Sequence, residues 1–346
     1  MVSSVCGTLT WPCAWRTLLP VLVTGAAGFI GSHVCHHLLN RGEAVVGVDN
    51  MNDYYDLALK QGRLARLQPH KAFSFHQLDI AEEGALSAAL AGQGIKRVVH
   101  LAAQAGVRHS LDNPRLYVRS NVVGHLEMLE FCRAEPTFEH LVYASSSSVY
   151  GGNRKVPFSE TDQVDRPVSL YAATKKTDEL MSHTYAHLFG IPQTGLRFFT
   201  VYGPWGRPDM AYWMFTRAML EGKPIRVFNN GEMWRDFTYV DDVVRAVTAV
   251  LDKPPLAEVP PSRVYNVGNN RPERLSDFID TLEGLLGVKA IRQYEPMQSS
   301  DVERTFADMT ALERDFGFKP SVLIEDGLRK FVDWYRSEWL AGAETG

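Results

Sequence analysis

The stretch from residue 20 to residue 49 constrains the fold of this chain more than any other. A short apolar run, Pro20 to Thr24, predicts a buried strand, and the sequence Gly25-Ala26-Ala27-Gly28-Phe29-Ile30-Gly31 follows it directly. Residues with helical character then continue to Asn40, and a second apolar run ends at Asp49. Short apolar runs separated by a helix are typical of parallel strands that are buried on both faces. The segment therefore predicts a strand–loop–helix–strand unit.

The glycine loop in this unit predicts a dinucleotide site. Its three glycines permit a tight turn, a close approach of the backbone to a pyrophosphate, and packing of the helix on the strand. The helix after Gly28 offers free N–H groups and a partial positive charge to the phosphates. Asp49 closes the second strand, where a carboxylate binds the adenosine ribose hydroxyls and would repel a 2′-phosphate. We therefore expect NAD rather than NADP.

The same alternation continues along the first 200 residues. Further strands are predicted at residues 73–78, 96–101, 140–144 and 193–198, and helices at 114–133 and 171–190. Alternating strands and helices form a parallel sheet covered on both faces. We therefore predict an α/β fold, a Rossmann-type doubly wound parallel sheet with a smaller, partly interleaved α/β substrate domain.

The second half of the chain is less regular. The proline- and glycine-rich segment 199–210 predicts a shaped loop without helix or strand, and Asn229-Asn230-Gly231 predicts a hairpin turn. Residues 264–268 predict a strand that returns to the main sheet. The predicted division is a poorly ordered extension at 1–19, an NAD-binding domain at 20–200 with 236–268 returning to it, and a substrate-binding domain at 201–235 and 269–346.

Composition excludes several classes of protein. The net charge of −4 argues against a nucleic-acid binder, which would carry a basic excess. The four cysteines are scattered, which argues against a zinc site or a disulfide framework and suits a reducing compartment. No apolar stretch is long enough to span a membrane. We therefore expect a cytoplasmic enzyme without a metal site, a nucleic-acid partner or a membrane partner.

Tyr171 and Lys175 are candidate catalytic residues. Four residues apart on a helix, they lie on one face. A lysine ammonium beside a tyrosine favours the phenolate, so the pair can act as a general acid and base toward an alcohol. The serine run 145–148 follows the predicted strand at 140–144, where ligand-binding residues gather in an open α/β sheet. Serine hydroxyls there can hydrogen-bond the hydroxyl that Tyr171 deprotonates.

These motifs together resemble the extended short-chain dehydrogenase/reductases that act on nucleotide sugars. The resemblance covers nearly the whole chain after residue 20. Three stretches are similar in particular to UDP-glucuronate 4-epimerases: Asp49 to Tyr55, Tyr171 to Lys176, and Leu196 to Met210. The resemblance implies tightly held NAD, a UDP-sugar substrate, and a homodimer that pairs the helices around 114–133 and 171–190.

The resemblance also implies roles for single residues. Catalysis is expected from Tyr171, Lys175, Ser146 and Ser147. Contacts with NAD are expected from Gly25, Gly28, Phe29, Ile30, Asp49, Asn50, Asp79, Ile80, Leu101, Ala102, Ala103, Gln104, Asn121, Ser145, Tyr171, Lys175 and Phe198. Contacts with the substrate are expected from Arg108, Ser148, Thr200, Arg207, Val227, Arg235 and Asp301, with Arg235 at the diphosphate and Asp301 near the ribose.

The expected reaction is reversible C4 epimerisation of UDP-glucuronate to UDP-galacturonate through a 4-keto intermediate. Related 4,6-dehydratases carry an Asp-Glu pair, and related decarboxylases a Glu, where this chain has Ser147 and Ser148. Arg207 is the candidate clamp for the sugar carboxylate, because a guanidinium matches a carboxylate with two hydrogen bonds. The alternative for Arg207 is a loop arginine paired with Asp209. The alternative functions are another nucleotide-sugar 4-epimerase, a UDP-glucuronate decarboxylase, or a binding protein that has lost its chemistry.

Overall fold

The computed structural model describes residues 19–297 and 302–344. The predicted extension at 1–19 lies outside the described residues except for Leu19, and Asp301 lies outside them as well.

The strands of the described chain follow one another at short intervals. They are β1 (Val21–Thr24), β2 (Val45–Asp49), β3 (Phe73–Gln77), β4 (Arg97–His100), β5 (His140–Ser146), β6 (Gln193–Phe198), β7 (Thr200–Tyr202), β8 (Pro224–Phe228), β9 (Trp234–Tyr239), β10 (Ser262–Val267), β11 (Pro272–Arg274) and β12 (Ile291–Glu295).

The helices alternate with these strands. They are α1 (Phe29–Asn40), α2 (Leu57–Leu67), α3 (Ala85–Ala89), α4 (His109–Asp112), α5 (Pro114–Tyr117), α6 (Gly124–Arg133), α7 (Leu170–Phe189), α8 (Ala211–Leu220), α9 (Val240–Leu251), α10 (Leu275–Leu286), α11 (Thr310–Phe316), α12 (Ile324–Trp334) and α13 (Ala341–Glu344). A π-helical segment, Val118–Val123, joins α5 to α6.

The main sheet has seven parallel strands in the order β10-β6-β5-β4-β1-β2-β3. The strand order reverses beside β1, which pairs with β2 on one side and β4 on the other. Such a topological switch point opens a crevice at the carboxyl ends of the strands. The predicted Rossmann-type fold is confirmed, and so is the strand near 264–268, because β10 pairs with β6 at the sheet edge.

Both faces of this sheet are covered, as the apolar runs predict. In β1, Val21 and Val23 pack into the core beneath α1 and α9, whereas Leu22 packs into the core on the opposite face. All four residues of β1 are buried. This alternation follows from the two-residue period of a strand, and it places the end of β1 between two helical layers.

The prediction for the second half was wrong in two places. The segment 199–210 contains β7, which pairs with β9 in a small sheet ordered β11-β9-β7. The turn at 229–231 does not form a hairpin, since β8 pairs in parallel with β12. Both errors have one cause: the partners are far apart in the chain, and a three-residue strand carries no readable period. The division into domains stays a prediction.

Candidate active site

A cleft opens at the carboxyl ends of β1, β4 and β5 and brings most predicted site residues together. The predicted residues that line it are Gly25, Gly28, Phe29, Ile30, Asp49, Asn50, Asp79, Ile80, Leu101, Ala102, Ala103, Gln104, Ser145, Ser146, Tyr171, Lys175, Phe198 and Arg207. Seven other predicted residues of the described chain are not among its lining, namely Arg108, Asn121, Ser147, Ser148, Thr200, Val227 and Arg235. Their roles stay predictions.

The glycine loop is shaped so that a phosphate group fits against it. Gly25 has a φ of +70°, and a Cβ there would lie 2.9 Å from the Ala102 backbone nitrogen. A Cβ on Gly31 would lie 2.0 Å from the Gly25 carbonyl oxygen. Gly28 caps α1 without a side-chain hydrogen bond, so the N–H groups of the first turn face the cleft without a capping side chain. The loop therefore fits the pyrophosphate of a dinucleotide.

Asp49 is fixed at the end of β2 by the backbone around it. Its Oδ2 accepts a hydrogen bond from the Ala27 N–H at 3.2 Å, and its Oδ1 accepts one from the Met51 N–H at 2.8 Å. The buried Lys60 ammonium lies 3.6 Å from Oδ1 and donates to Asn52 at 2.8 Å. This carboxylate is thus held in place at the cleft, where it can accept hydrogen bonds from ribose hydroxyls.

Tyr171 and Lys175 occupy the first two turns of α7. Ser169 caps this helix, its hydroxyl accepting a hydrogen bond from the Ala172 N–H at 3.1 Å. Tyr171 is half-buried and lines the cleft, whereas Lys175 is buried. The Lys175 ammonium donates to the Ala144 carbonyl at 3.0 Å and to Asp178 Oδ2 at 3.1 Å. The predicted pair is therefore in the cleft, and Lys175 is held from β5 and from its own helix.

Asp178 is a buried carboxylate that forms an ion pair with Lys175. Burial raises its pKa to about 6, while Lys175 acts in the opposite direction. Its Oδ1 has no hydrogen-bond partner in the described part of the chain. The buried ion pair therefore carries an incompletely solvated charge.

A second buried ion pair, between Arg197 and Glu179, is hydrogen-bonded to the serine run. Arg197 binds Glu179 with two hydrogen bonds, of 2.8 and 2.9 Å, and donates to the Tyr150 hydroxyl at 3.0 Å. Ser145 donates to Glu179 at 2.6 Å. Burial alone would raise the pKa of Glu179, but the hydrogen bonds and charge of Arg197 lower it. Glu179 is therefore ionised and ties α7 to β5 and β6.

Within the serine run, Ser146 faces the cleft. Its Oγ accepts hydrogen bonds from the Ser148 N–H at 3.2 Å and from the Ser148 hydroxyl at 2.9 Å. Ser147 begins the 3₁₀ turn that follows β5. Ser148 is thus placed behind Ser146 and orients its hydroxyl.

Asn121 supports the cleft from the π-helical segment. Its side-chain oxygen accepts from the Gln104 N–H at 2.7 Å. Its side-chain nitrogen donates to the Gln104 carbonyl at 3.1 Å and to Thr174 at 3.0 Å. Asn121 therefore fastens the segment after β4 to α7, so that Gln104 and Tyr171 keep a fixed relation.

Arg207 reaches the cleft from the loop after β7 and is paired with Asp209. Its Nε donates to Asp209 Oδ1 at 3.0 Å, and its Nη2 contacts Asp209 Oδ2. The Tyr54 hydroxyl also donates to Asp209, at 3.1 Å. Burial alone would lower the pKa of Arg207. The charge and hydrogen bonds of Asp209 have the larger effect and raise that pKa, and Tyr171 adds to the increase. The cation therefore lies near Tyr171 within one cleft, and the alternative pairing with Asp209 is present as well.

Four other predicted substrate residues are not among the residues that line the cleft, and their contacts are with the fold itself. The Arg108 guanidinium lies 5.2 Å from the Phe228 ring centroid, and Arg235 donates to the Trp234 and Glu303 carbonyls. Val227 is buried in β8, and Thr200 begins β7.

Sequence reasoning missed several residues that line the cleft, among them Tyr54, Lys60 and Met210. A lysine within an amphipathic helix is normally solvated, so nothing in the local pattern indicates that Lys60 is buried. Tyr54 lies within the stretch 49–55 that resembles the epimerases, which is the one signal that could have found it.

Comparison with known proteins agrees with this geometry. The chain is 53% identical over 329 residues to an uncharacterized 37.6 kDa protein of Escherichia coli O111:H-, covering 91% of this chain and 98% of that protein. It is 47% identical over 338 residues to a probable UDP-glucuronate 4-epimerase of Rhizobium meliloti, covering 94% and 99%.

The fold also resembles a solved UDP-glucuronic acid 4-epimerase of Bacillus cereus in complex with UDP-glucuronic acid and NAD. The TM-score is 0.85 at 36% identity, over 92% of this chain and 99% of that one. Residues 21–268 match the NAD dependent epimerase/dehydratase family, and the chain belongs to that family.

Proposed function

We propose that this protein catalyses the reversible, NAD-dependent C4 epimerisation of UDP-glucuronate to UDP-galacturonate. The observation that carries the proposal is that one cleft holds the glycine loop, the Tyr171–Lys175 pair and the Arg207 cation. The first fits NAD, the second fits proton transfer at an alcohol, and the third fits a sugar carboxylate. The relatives named as UDP-glucuronate 4-epimerases support the same substrate.

The chain's residues divide the work at the C4 alcohol. The chemistry that NAD supplies when bound is the reversible acceptance of a hydride. Tyr171, as phenolate, takes the O4 proton, and Lys175 stabilises the phenolate charge. Ser146 positions O4 by a hydrogen bond. The resulting 4-keto sugar rotates in the cleft and presents its other face, so that proton and hydride return with inverted configuration. No net oxidation occurs.

Arg207 restrains a side reaction of the intermediate. A 4-keto glucuronate is a β-keto acid, which tends to lose carbon dioxide. A guanidinium that holds the carboxylate with two hydrogen bonds stabilises its charge and opposes that loss. The Asp209 contact does not exclude this role, because a guanidinium has five N–H donors, and Asp209 receives those of Nε and Nη2.

A decarboxylase is the second candidate within this family. The residues at positions 147 and 148 argue against it, because serine stands where the resemblance places the acid of decarboxylases and dehydratases. Ser148 is engaged with Ser146, and neither Ser147 nor Ser148 can supply a carboxylate.

The proposed assembly is a homodimer. Apolar side chains are exposed on the outer surfaces of the helices from 114 to 133 and of α7: Leu116, Val118, Val123, Leu126, Leu180, Leu188 and Phe189. An apolar surface on two adjacent helices suits a four-helix contact with a second copy.

The proposed location is the cytoplasm, because Cys35 and Cys132 are free thiols, as is usual in a reducing compartment. Among the described residues, no helix has the length and hydropathy needed to cross a membrane.

The test is direct. Purified protein is incubated with UDP-glucuronate, and the nucleotide sugars are separated and weighed by mass spectrometry. An isomer of unchanged mass that co-elutes with UDP-galacturonate supports the proposal. A product lighter by carbon dioxide would support the decarboxylase instead, and an unchanged substrate would refute both.

A further inference from the structure

We infer that Arg63 is a positioning residue for Arg207, because it binds the loop that carries Arg207 and the glycine loop with one guanidinium. The inference deepens the proposed function and rests on it for the identity of the substrate. The hydrogen bonds that support it belong to the fold and do not depend on which sugar is bound.

Arg63 lies on α2 and is fully buried. Its Nε donates to the Trp205 carbonyl at 2.9 Å, and its Nη2 donates to the Gly206 carbonyl at 2.8 Å. Its Nη1 donates to the Ala27 carbonyl at 3.2 Å and to the Tyr55 hydroxyl at 2.6 Å. Three chain segments are therefore joined to α2 through one side chain: the glycine loop, the segment just before α2, and the loop after β7.

These contacts are unusual for a buried cation. Among the described residues, every hydrogen bond of Arg63 ends on a carbonyl or a phenol, and none ends on a carboxylate. A buried guanidinium needs such partners, because a lost one leaves a charged group unsatisfied. Arg63 makes four hydrogen bonds from a planar fork of five donors, whereas a lysine has only three donors on one nitrogen and cannot replace all four. The geometry of the three segments is thus fixed by this side chain.

Two other residues of α2, Gly62 and Arg66, pack against the Trp205 side chain. A Cβ on Gly62 would lie 2.6 Å from Trp205 Cζ3, so the helix approaches the indole only because this residue is glycine. The Arg66 guanidinium lies 5.1 Å from the Trp205 ring, and Trp334 packs against it at 5.2 Å. Trp205 itself has a φ of +57°, a conformation that a bulky residue adopts only when its surroundings hold it there.

The peptide group between Gly206 and Arg207 is held at both its oxygen and its nitrogen. Arg63 binds the two carbonyls before Arg207, and the Tyr212 hydroxyl accepts the Arg207 N–H at 3.2 Å. On the other side of Arg63, Ala27 lies between Gly25 and Gly28, the residues that face a cofactor phosphate. Arg63 therefore couples the two loops: a shift of the glycine loop moves the loop that carries Arg207, and a shift of that loop moves the glycine loop.

The test compares Arg63→Lys and Gly62→Ala with the parent holoenzyme. Gly62→Ala places a methyl group 2.6 Å from Trp205 Cζ3, so Trp205 must move, and its carbonyl moves away from the Arg63 Nε. The substitution also raises the helix propensity of α2, which offsets part of the cost to the fold. Gln61→Ala, an exposed position on the same helix, is the matched control. Backbone hydrogen exchange of residues 203–210 is followed by mass spectrometry, together with bound NAD, KM and kcat for UDP-glucuronate, and the share of decarboxylated product.

We expect exchange at 203–210 to accelerate about tenfold in both variants, corresponding to the loss of one or two hydrogen bonds. KM for UDP-glucuronate should rise about tenfold with kcat changed less, and the decarboxylated share should increase. The control should match the parent. Unchanged exchange and unchanged KM in Gly62→Ala would overturn the inference, even if Arg63→Lys fails to fold. If the parent itself does not isomerise UDP-glucuronate, the proposed function fails, whereas the exchange measurement still decides the role of Arg63.

Discussion

The Lys175 ammonium lies 3.1 Å from Asp178 Oδ2, and both side chains are buried. This ion pair uses one N–H of Lys175, and the Ala144 carbonyl accepts a second. An ammonium has three donors, so one is left to serve Tyr171 and the cleft.

This pair makes stability depend on pH in a defined direction. The pKa of Asp178 is raised from 3.8 to about 6 by burial, with Lys175 opposing the shift. The folded state therefore binds the proton more tightly, and its contribution to stability is present below about pH 4 and lost as the pH rises through 6.

Asp178→Asn removes this loss. Between pH 4 and pH 7 we expect the difference in the free energy of unfolding between variant and parent to move in favour of the variant by about 3 kcal/mol. Urea unfolding from pH 4 to 7 measures it, and Asp112→Asn, at an exposed position, is the control. A constant difference across this range would contradict the assignment to Asp178.

Tyr171→Phe should remove the proton acceptor without removing the cofactor site. We expect turnover to fall about a thousandfold or more, because the variant lacks the hydroxyl that takes the O4 proton. Bound NAD should be unchanged, since the glycine loop and Asp49 are untouched. Product chromatography and the NAD content of the denatured protein measure the two effects. Retained activity would refute the assignment.

Arg207→Ala should separate the acidic sugar from the neutral one. A charge-assisted pair of hydrogen bonds to a carboxylate contributes about 1.5–3 kcal/mol, so the KM for UDP-glucuronate should rise ten- to a hundredfold. Binding of UDP-glucose, which lacks the carboxylate, should change little. Calorimetry with both nucleotides measures the difference.

Asp209→Asn is the companion variant for Arg207. It keeps a hydrogen-bond acceptor but removes the charge that pairs with the guanidinium. If Arg207 binds the substrate carboxylate, this variant should bind UDP-glucuronate as tightly as the parent or more tightly. Equal losses on both sugars in Arg207→Ala would show that the arginine only shapes the loop.

Glu179→Gln should destabilise the fold. The change leaves the buried Arg197 guanidinium without its counter-charge, and breaking a buried pair in this way costs about 3 kcal/mol or more. Chemical denaturation of the variant measures the loss, with Glu325→Gln at an exposed ion pair as the control. Because Ser145 also donates to Glu179, NAD affinity should decrease in parallel.

The proposed dimer is tested on the exposed apolar surface. Leu126→Glu combined with Leu180→Glu introduces charges that cannot be buried, so we expect a shift to monomers. Sedimentation velocity measures the shift. Leu256→Glu, at an exposed leucine elsewhere on the chain, should leave the assembly unchanged. A parent that sediments as a monomer would refute the dimer.

The sequence by itself determined the parts of this protein that depend on neighbours in the chain. The glycine loop, the i, i+4 spacing of Tyr171 and Lys175, and the buried strands all follow from short periods and from residue types at fixed offsets. These features sufficed to predict the parallel sheet and to select the glycine loop, Tyr171 and Lys175, which the fold brings into one cleft. The resemblance of longer stretches then pointed to the sugar.

Only the tertiary structure decided which distant residues meet. Arg63 binds the carbonyl of Trp205, 142 positions away, and nothing in the local pattern around either residue indicates this contact. The pairing of β8 with β12 and the burial of Lys60 beside Asp49 belong to the same class. Such contacts are set by how the layers pack, because a side chain's burial and hydrogen-bond partners depend on segments that have no sequence relation to it.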